Sequence, residues 1–180
     1  NTIIVSGLAA FITVLLGVLM VYGIRLSGRS LPQAILPLTT IGYAAPGAVL
    51  GIGILVPLGI ADNWAADRVL DLTGYDPGLI FTGTAFAIIL AYCVRFFSIA
   101  QHTVDGAFGR ISPSLPNAAQ SLGRNKLQVL LQIYRPLIST STATALLLIF
   151  VDCVKELPAT MLLRPFNFET LATRVHVQAS

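Results

Sequence analysis

Residues able to do chemistry are sparse in this 180-residue chain. Asp152 and Glu156 stand four apart, which puts both carboxylates on one helix face, and Lys155 is three from Asp152. Acids carried into a membrane helix point to a gate or a cation path. Acids at a helix end also serve as solvated charge or as partners of a neighbouring lysine, and the spacing allows either role. His102 and His176 stand alone at polar positions, which suits a surface role without chemistry. Cys93 and Cys153 lie in or beside apolar segments with no second Cys or His at ligand spacing, so they read as small buried apolar residues. Tyr43 and Tyr92 suit packing or an interface. No Ser, His and Asp combination or carboxylate pair assembles into a hydrolytic site. The phosphate-loop pattern Gly-x-x-x-x-Gly-Lys-Ser/Thr is absent too. The chain is therefore expected to bind no metal or cofactor of its own and not to be an enzyme.

The elements that carry these residues are set by composition. Apolar residues make up 55% of the chain and charged residues 11%, and the mean hydropathy is +0.81. A soluble core does not need several uncharged runs of about 20 residues, whereas a bilayer does. The expected fold is an all-α integral membrane protein, a multi-span helical bundle forming a single domain over residues 1–180. Thr2 to Gly23 has no basic flank before it and is too long for the apolar part of a signal peptide, so it reads as a span. The opening Asn and the polar end suggest a piece of a longer polypeptide.

Four spans are expected, at about 2–24, 34–60, 78–100 and 137–155. The second is rich in Pro32, Pro37, Pro46 and Pro57 and in glycine, a density tolerated in a membrane only where neighbours satisfy the freed backbone groups. Gly47-x-x-x-Gly51 within it fits close helix approach. Asp62 to Asp76 reads as a polar loop with four aspartates, Trp64 and Tyr75. Arg95 falls in the last turns of the third span, and the segment 156–180 lies beyond the fourth.

Between the third and fourth spans, residues 101–136 are polar where a chain this apolar would be expected to re-enter the bilayer. Alternation of sides groups Arg25, Arg29, Arg95, Arg110, Arg124, Lys126 and Arg135 together, against Arg68, Lys155, Arg164 and Arg174 opposite. Since the side richer in basic residues stays in the cytoplasm, this segment is expected there and the N-terminus outside. Ser112, Pro113, Ser114 and Pro116 suit a capped helix start, and Gly123 suits the left-handed residue that ends the helix. Helical spacing resumes from Lys126, with Leu127, Leu130, Leu131 and Tyr134 as an apolar stripe. Such a helix lies on a membrane surface or docks in a partner's groove.

The order inside this segment is Ala118-Ala119, three residues, Gly123, nine residues, Ile133, and then Pro136. It resembles the cytoplasmic EAA loop of the membrane permeases of importers driven by ATP-binding cassettes, whose pattern is Glu-Ala-Ala, three residues, Gly, nine residues, Ile-x-Leu-Pro. Five of the seven positions match, and the departures are Asn117 for the acid and Arg135 for the leucine. Lys155 to Arg174, KELPATMLLRPFNFETLATR, is similar to the segment that follows this loop in the ferric-iron branch, in the second half of a fused permease.

The resemblance implies a type I importer permease of the MetI-like kind in a bacterial inner membrane. Asn117, Ala118, Ala119, Gly123, Ile133 and Pro136 would couple it to a cytoplasmic ATPase, and a further span would follow Ser180. The implied partners are a dimer of ATP-binding subunits carrying the ATP and Mg, a periplasmic or lipoprotein solute-binding protein, a second permease half or copy and membrane lipid, with no nucleic acid. Ferric iron is the implied solute, with thiamine, polyamine, sulfate or phosphonate as alternatives in the same class. A passive channel or ion-coupled carrier is a more distant reading, since spans one and two hold no charge. A membrane-embedded enzyme is another, and it would need convergent nucleophiles or ligands that the chain does not offer.

Overall fold

The computed structural model describes residues 1–27 and 39–179; Arg29, Pro32, Pro37 and the first part of the expected second span lie outside the described residues. Four long helices dominate. Helix α1 is Thr2–Ser27, and after a short α2 (Thr39–Ala44) comes α3 (Gly47–Thr73). Helix α4 is Ala85–Gly109. After α5 (Ser114–Ser121) a composite helix follows, made of α6 (Lys126–Val129), a π-helical turn (Leu130–Tyr134) and α7 (Arg135–Lys155). Two short helices, α8 (Pro158–Leu163) and α9 (Leu171–Ala179), close the chain, and no strand occurs among the described residues.

The apolar runs of α1, α3, α4 and the composite helix are 24, 27, 25 and 30 residues long. At 1.5 Å per residue each exceeds the roughly 30 Å of a hydrocarbon core. Large apolar side chains point outward along them, such as Ile4, Leu8, Phe11, Leu15 and Leu19 on α1 and Val49, Ile52, Val56 and Ile60 on α3. Outward apolar stripes on helices of this length belong in lipid or against other membrane helices. The chain is an all-α, multi-pass membrane protein.

Helix bounds differ from the expected spans, and where the helices run past them it is because polar residues mark where hydration begins and not where a helix stops. The second helix starts only after Pro46 and continues through Asp62, Asp67 and Asp71 to Thr73, so the expected aspartate loop is mostly helical. Its end is at Gly74, whose φ of 70° lets its N–H reach the Leu70 carbonyl at 2.8 Å. Residues 78–84, expected to open the third span, are not helical, and α4 instead runs on through Gln101 to Gly109. Its buried face continues as Gln101, Val104, Ala107 and Phe108, at helical spacing beneath the polar His102 and Asp105. The fourth helix begins at Lys126 and not at 137, so the expected loop 101–136 shrinks to 110–125 around α5.

The core is where α4 packs between α1 and α7. Ala9, Ala10 and Val14 from α1, Ala87, Ala91, Tyr92 and Ala100 from α4, and Ala145, Ile149 and Cys153 from α7 are buried together. Alanine is the commonest residue on these faces. Lipid tails are as apolar as side chains, so helices associate in a membrane through close packing and polar contacts, which small residues permit. Cys93 and Cys153 are both buried free thiols. The segment after Glu156, expected as an external segment beyond the fourth span, folds back with α8 against α3, burying Ala159, Thr160 and Leu163. Gly51 makes this possible, since a Cβ there would lie 3.1 Å from Leu162 Cδ1.

Asp62 ties the far end of α3 to the approach to α4. Its residue is 0% exposed, and its carboxylate accepts from the backbone N–H of Ile80 (2.8 Å), Phe81 (2.7 Å) and Thr82 (2.7 Å) and from the Thr82 hydroxyl. Thr84 then turns its hydroxyl onto the Phe81 carbonyl at 2.7 Å as α4 begins. Asp62→Asn keeps the shape but turns one acceptor oxygen into an NH2 facing donors. Amide exchange at residues 80–82 in that variant is expected to speed up about tenfold or more, measured by hydrogen–deuterium exchange in detergent. Unchanged protection would show that Asp62 does not hold this segment.

Candidate functional site

The segment between α4 and α7 is built by local capping chemistry. Helix α5 places Asn117 and Ala118 on an exposed face, with Ala119 half-buried and Pro116 buried beneath them. It ends in a Schellman closure: Gly123 N–H donates to the Gln120 carbonyl (2.9 Å) and Arg124 N–H to the Ala119 carbonyl (3.1 Å). The closure requires the left-handed φ of +83° at Gly123, and nothing lies within 4 Å of where a Cβ would point. Asn125 then starts the next helix with a reciprocal box, accepting from Gln128 N–H at 2.8 Å while Gln128 Oε1 accepts from Asn125 N–H at 3.0 Å. The Asn-x-x-Gln pattern is a start signal the residue pattern had offered and the sequence reading passed over.

Pro136 does not stop this helix. A proline inside a helix lacks an N–H and crowds the carbonyl four residues back. The π turn just before it widens the helix, with Arg135 N–H reaching back five residues to the Leu130 carbonyl. The same turn changes which residues face inward. Val129 and Leu130 are buried and Tyr134 is half-buried, whereas Leu127 and Leu131 are exposed, so the expected stripe of four does not form one buried face. Ile133 is half-buried and Pro136 exposed.

Aromatic packing holds this end of the molecule together. Tyr134 stacks on Phe108 of α4 at 4.6 Å and meets Tyr22 of α1 edge-on at 5.6 Å. The Tyr22 hydroxyl donates to the Lys126 carbonyl. Arg25 pairs with Asp105 at 2.9 Å and lies over the Phe108 ring at 5.6 Å, and Arg110 donates to the Ser141 hydroxyl at 2.8 Å. A cleft of about 380 Å3 opens between these elements, lined in part by Tyr22, Arg25, Asn117 and Gln120. Leu115, Leu122 and Leu127 are left exposed around α5, Leu122 at 83%. Asn117 and the five residues of the Ala-Ala-Gly-Ile-Pro order thus sit at one end of the composite helix or in the helix–turn leading into it.

Asp152 and Glu156 sit at the opposite end, about 45 Å away along 30 residues of helix. Asp152 pairs with Lys155 at 2.8 Å. Glu156 does not join them. It pairs with Arg95 of α4 at 3.1 Å, with side-chain exposures of 9% and 19%, and Arg95 Nη1 donates to the Ala45 carbonyl at 2.8 Å. Arg95 is ten residues inside α4, so it lies within the bundle and not in the polar segment with the other basic residues; the basic side then holds six, not seven. A cavity of about 370 Å3 borders the cluster, lined by Tyr43, Arg95, Phe96, Asp152, Lys155 and Glu156. The sequence signal for Arg95 was its solitary charge in an apolar run, but its partner is 61 residues away and nothing local points to it. His102 and His176 are exposed.

The family of inner membrane components of binding-protein-dependent transport systems matches residues 13–164. The chain belongs to this family. This is the permease family of the importers driven by ATP-binding cassettes. It is 29% identical over 175 residues to the Fe(3+)-transport system permease protein FbpB 2 of Haemophilus influenzae, covering 97% of this chain and 31% of that protein. Over 163 residues it is 27% identical to the ferric transport system permease protein FbpB of Actinobacillus pleuropneumoniae, covering 91% of this chain and 21% of that protein. A second Haemophilus influenzae protein, described as a putative ferric transport system permease FbpB 1, is 26% identical over 189 residues, covering 98% and 27%. The permease chain thus spans a third or less of the length of these relatives.

Tyr134→Ala removes the ring that joins α1, α4 and the composite helix. It is expected to destabilise this end of the permease by about 3 kcal/mol, seen as faster proteolysis within residues 110–134 while α1 stays protected. Equal protection in the variant would show that the aromatic cluster does not anchor the segment.

Proposed function

We propose that this permease forms part of the translocation pathway of an ATP-driven importer and transmits the work of a cytoplasmic ATPase through residues 117–136. The observation that carries this reading is the exposed, small-sided helix around Asn117 and Ala118, closed at Gly123 and leading into the foot of a continuous helix that aromatic packing fixes to α4. Its backbone can come close to a partner surface, and a push on it reaches the foot of the composite helix through the short turn at residues 122–125, which the Asn125 capping box closes. The ATPase subunits would bind ATP and Mg, and a solute-binding protein would deliver the cargo from the other face. A second permease half or copy would complete the pathway in a bacterial inner membrane. The basic residues of this end, Arg25, Arg110, Arg124, Lys126 and Arg135, support a cytoplasmic position. Asn117 in place of an acid removes one charge from the docking face and keeps a hydrogen-bonding side chain.

Ferric iron is the solute this reading favours, on the strength of three relatives described as ferric or Fe(3+) transport permeases. Asp152 and Glu156 are the candidate pathway or gate residues, bordering the cavity with Tyr43 and Arg95.

Gly123→Glu tests the coupling assignment. The open space at Gly123 means the side chain meets nothing in the permease itself, and the φ of +83° costs about 1 to 2 kcal/mol of local strain. The variant is expected to insert normally but to lose ATPase co-purification and uptake, and normal uptake would sink the assignment. For the solute, cells carrying the whole transport operon are expected to accumulate radiolabelled ferric iron. Accumulation of thiamine, polyamine, sulfate or phosphonate in its place would replace iron with that solute.

A further inference from the structure

The largely buried pair of Arg95 and Glu156 is placed where two breaks in regular structure meet the middle of α4. Arg95 projects from the middle of α4 and donates to the Ala45 carbonyl, at the gap between α2 and α3. Glu156 occupies the corner between α7 and α8, and its carboxylate packs against the first residue of α3, Gly47, where a Cβ would collide with it. Any displacement of the α7 end relative to α3 and α4 must therefore strain or break this one contact.

A pair of this kind is poorly explained by stability. Removing two charges from water costs about as much as their attraction returns, and well-packed apolar replacements often serve as well or better. Nor is the contact a tight fork. Arg95 Nη1 is committed to a backbone carbonyl, and Nε lies 3.1 Å from the Glu156 carboxylate without an aligned hydrogen bond. Attraction of charge, not directional bonding, holds the two together, so the contact can be released. The adjoining cavity of about 370 Å3 gives the side chains room to move. Asp152, one turn back on α7, is a second carboxylate on the same wall and a replacement partner for the guanidinium, and its own present partner is the exposed Lys155.

We infer that Arg95 and Glu156 form a conformational latch: it holds the α7–α8 corner against α3 and α4 in the state seen here and is released when the composite helix is displaced from its other end. The inference rests on the coupling reading of residues 117–136 and adds to it the device at the far end of the lever. The helix from Lys126 to Lys155 has no break other than the π turn at its foot, so motion delivered to Lys126 arrives beside Glu156 as motion of a rod. With the latch intact, ATP hydrolysis is held back until solute delivery and ATPase closure act together. Without it, the corner moves unprompted.

The test uses the complete permease with its ATPase subunits and solute-binding protein in liposomes, comparing wild type, R95M/E156L, R95Q/E156Q and Gly123→Glu. Both uncharged pairs are expected to retain the ATPase subunits and to hydrolyse ATP without binding protein about fivefold faster or more. Uptake per ATP should fall by a similar factor. A wild-type ratio of unstimulated to stimulated hydrolysis in both uncharged pairs overturns the latch and leaves the pair as static packing. If neither pair inserts, the latch is also overturned, because the contact is then a requirement of the fold. Should R95M/E156L alone fail to insert, R95Q/E156Q decides by the same ratio. Gly123→Glu reads the other reading separately: retention of the ATPase there overturns docking at residues 117–136, while its loss beside a wild-type ratio in the uncharged pairs keeps docking and removes the latch.

Discussion

Close packing of α4 between α1 and α7, across faces rich in alanine, is the constraint on which the rest of the molecule depends. In lipid there is no gain from merely hiding apolar surface, so helices stay together only where backbones come near enough for dense contact and for a few polar links. Ala9, Ala10, Ala91, Ala100 and Ala145 provide that nearness. Once α4 is seated, Phe108 at one end and Arg95 nearer the other are fixed in space, and each gathers a cluster around itself. Phe108 collects Tyr22, Tyr134 and Arg25. Arg95 collects Ala45 and Glu156.

The two clusters are joined by one helix that survives a proline. Pro136 would break an ordinary turn, but the π turn before it gives the ring room and carries the helix from Lys126 to Lys155. Several polar groups brought inside are met by distant partners: Asp62 by three backbone amides and a hydroxyl, the Glu156 carboxylate by the charge of Arg95, and Tyr92 by Thr160 at 2.6 Å. These are long-range links, 18 to 20 residues apart for Asp62 and 68 for Tyr92, and they decide how α3, α4 and α8 meet.

Much of the class and part of the site could be read from residues alone. Uncharged runs implied membrane helices because a bilayer penalises unpaired charge regardless of which helix neighbours which. Ala118-Ala119, Gly123, Ile133 and Pro136 are a local pattern, and Gly123 met its expectation as the left-handed residue closing α5 because helix ending is decided within a few residues. Helix bounds were read poorly at Asp62 to Thr73 and at Gln101 to Gly109. There a polar surface lies over a continuing helix, and hydropathy reports the surface.

What the sequence determined by itself was the all-α membrane class, the helix–glycine–helix segment and the identity of the charges inside the apolar runs, since all of these follow from local composition and spacing. Only the tertiary structure decided that Glu156 belongs to Arg95 and not to Lys155, that Asp62 is a buried anchor and not a loop residue, and that the segment after Glu156 folds back onto Gly47 and Gly51. The physical reason is that a charge inside a membrane protein must find a partner somewhere, and which one it finds is set by helix packing rather than by nearness along the chain.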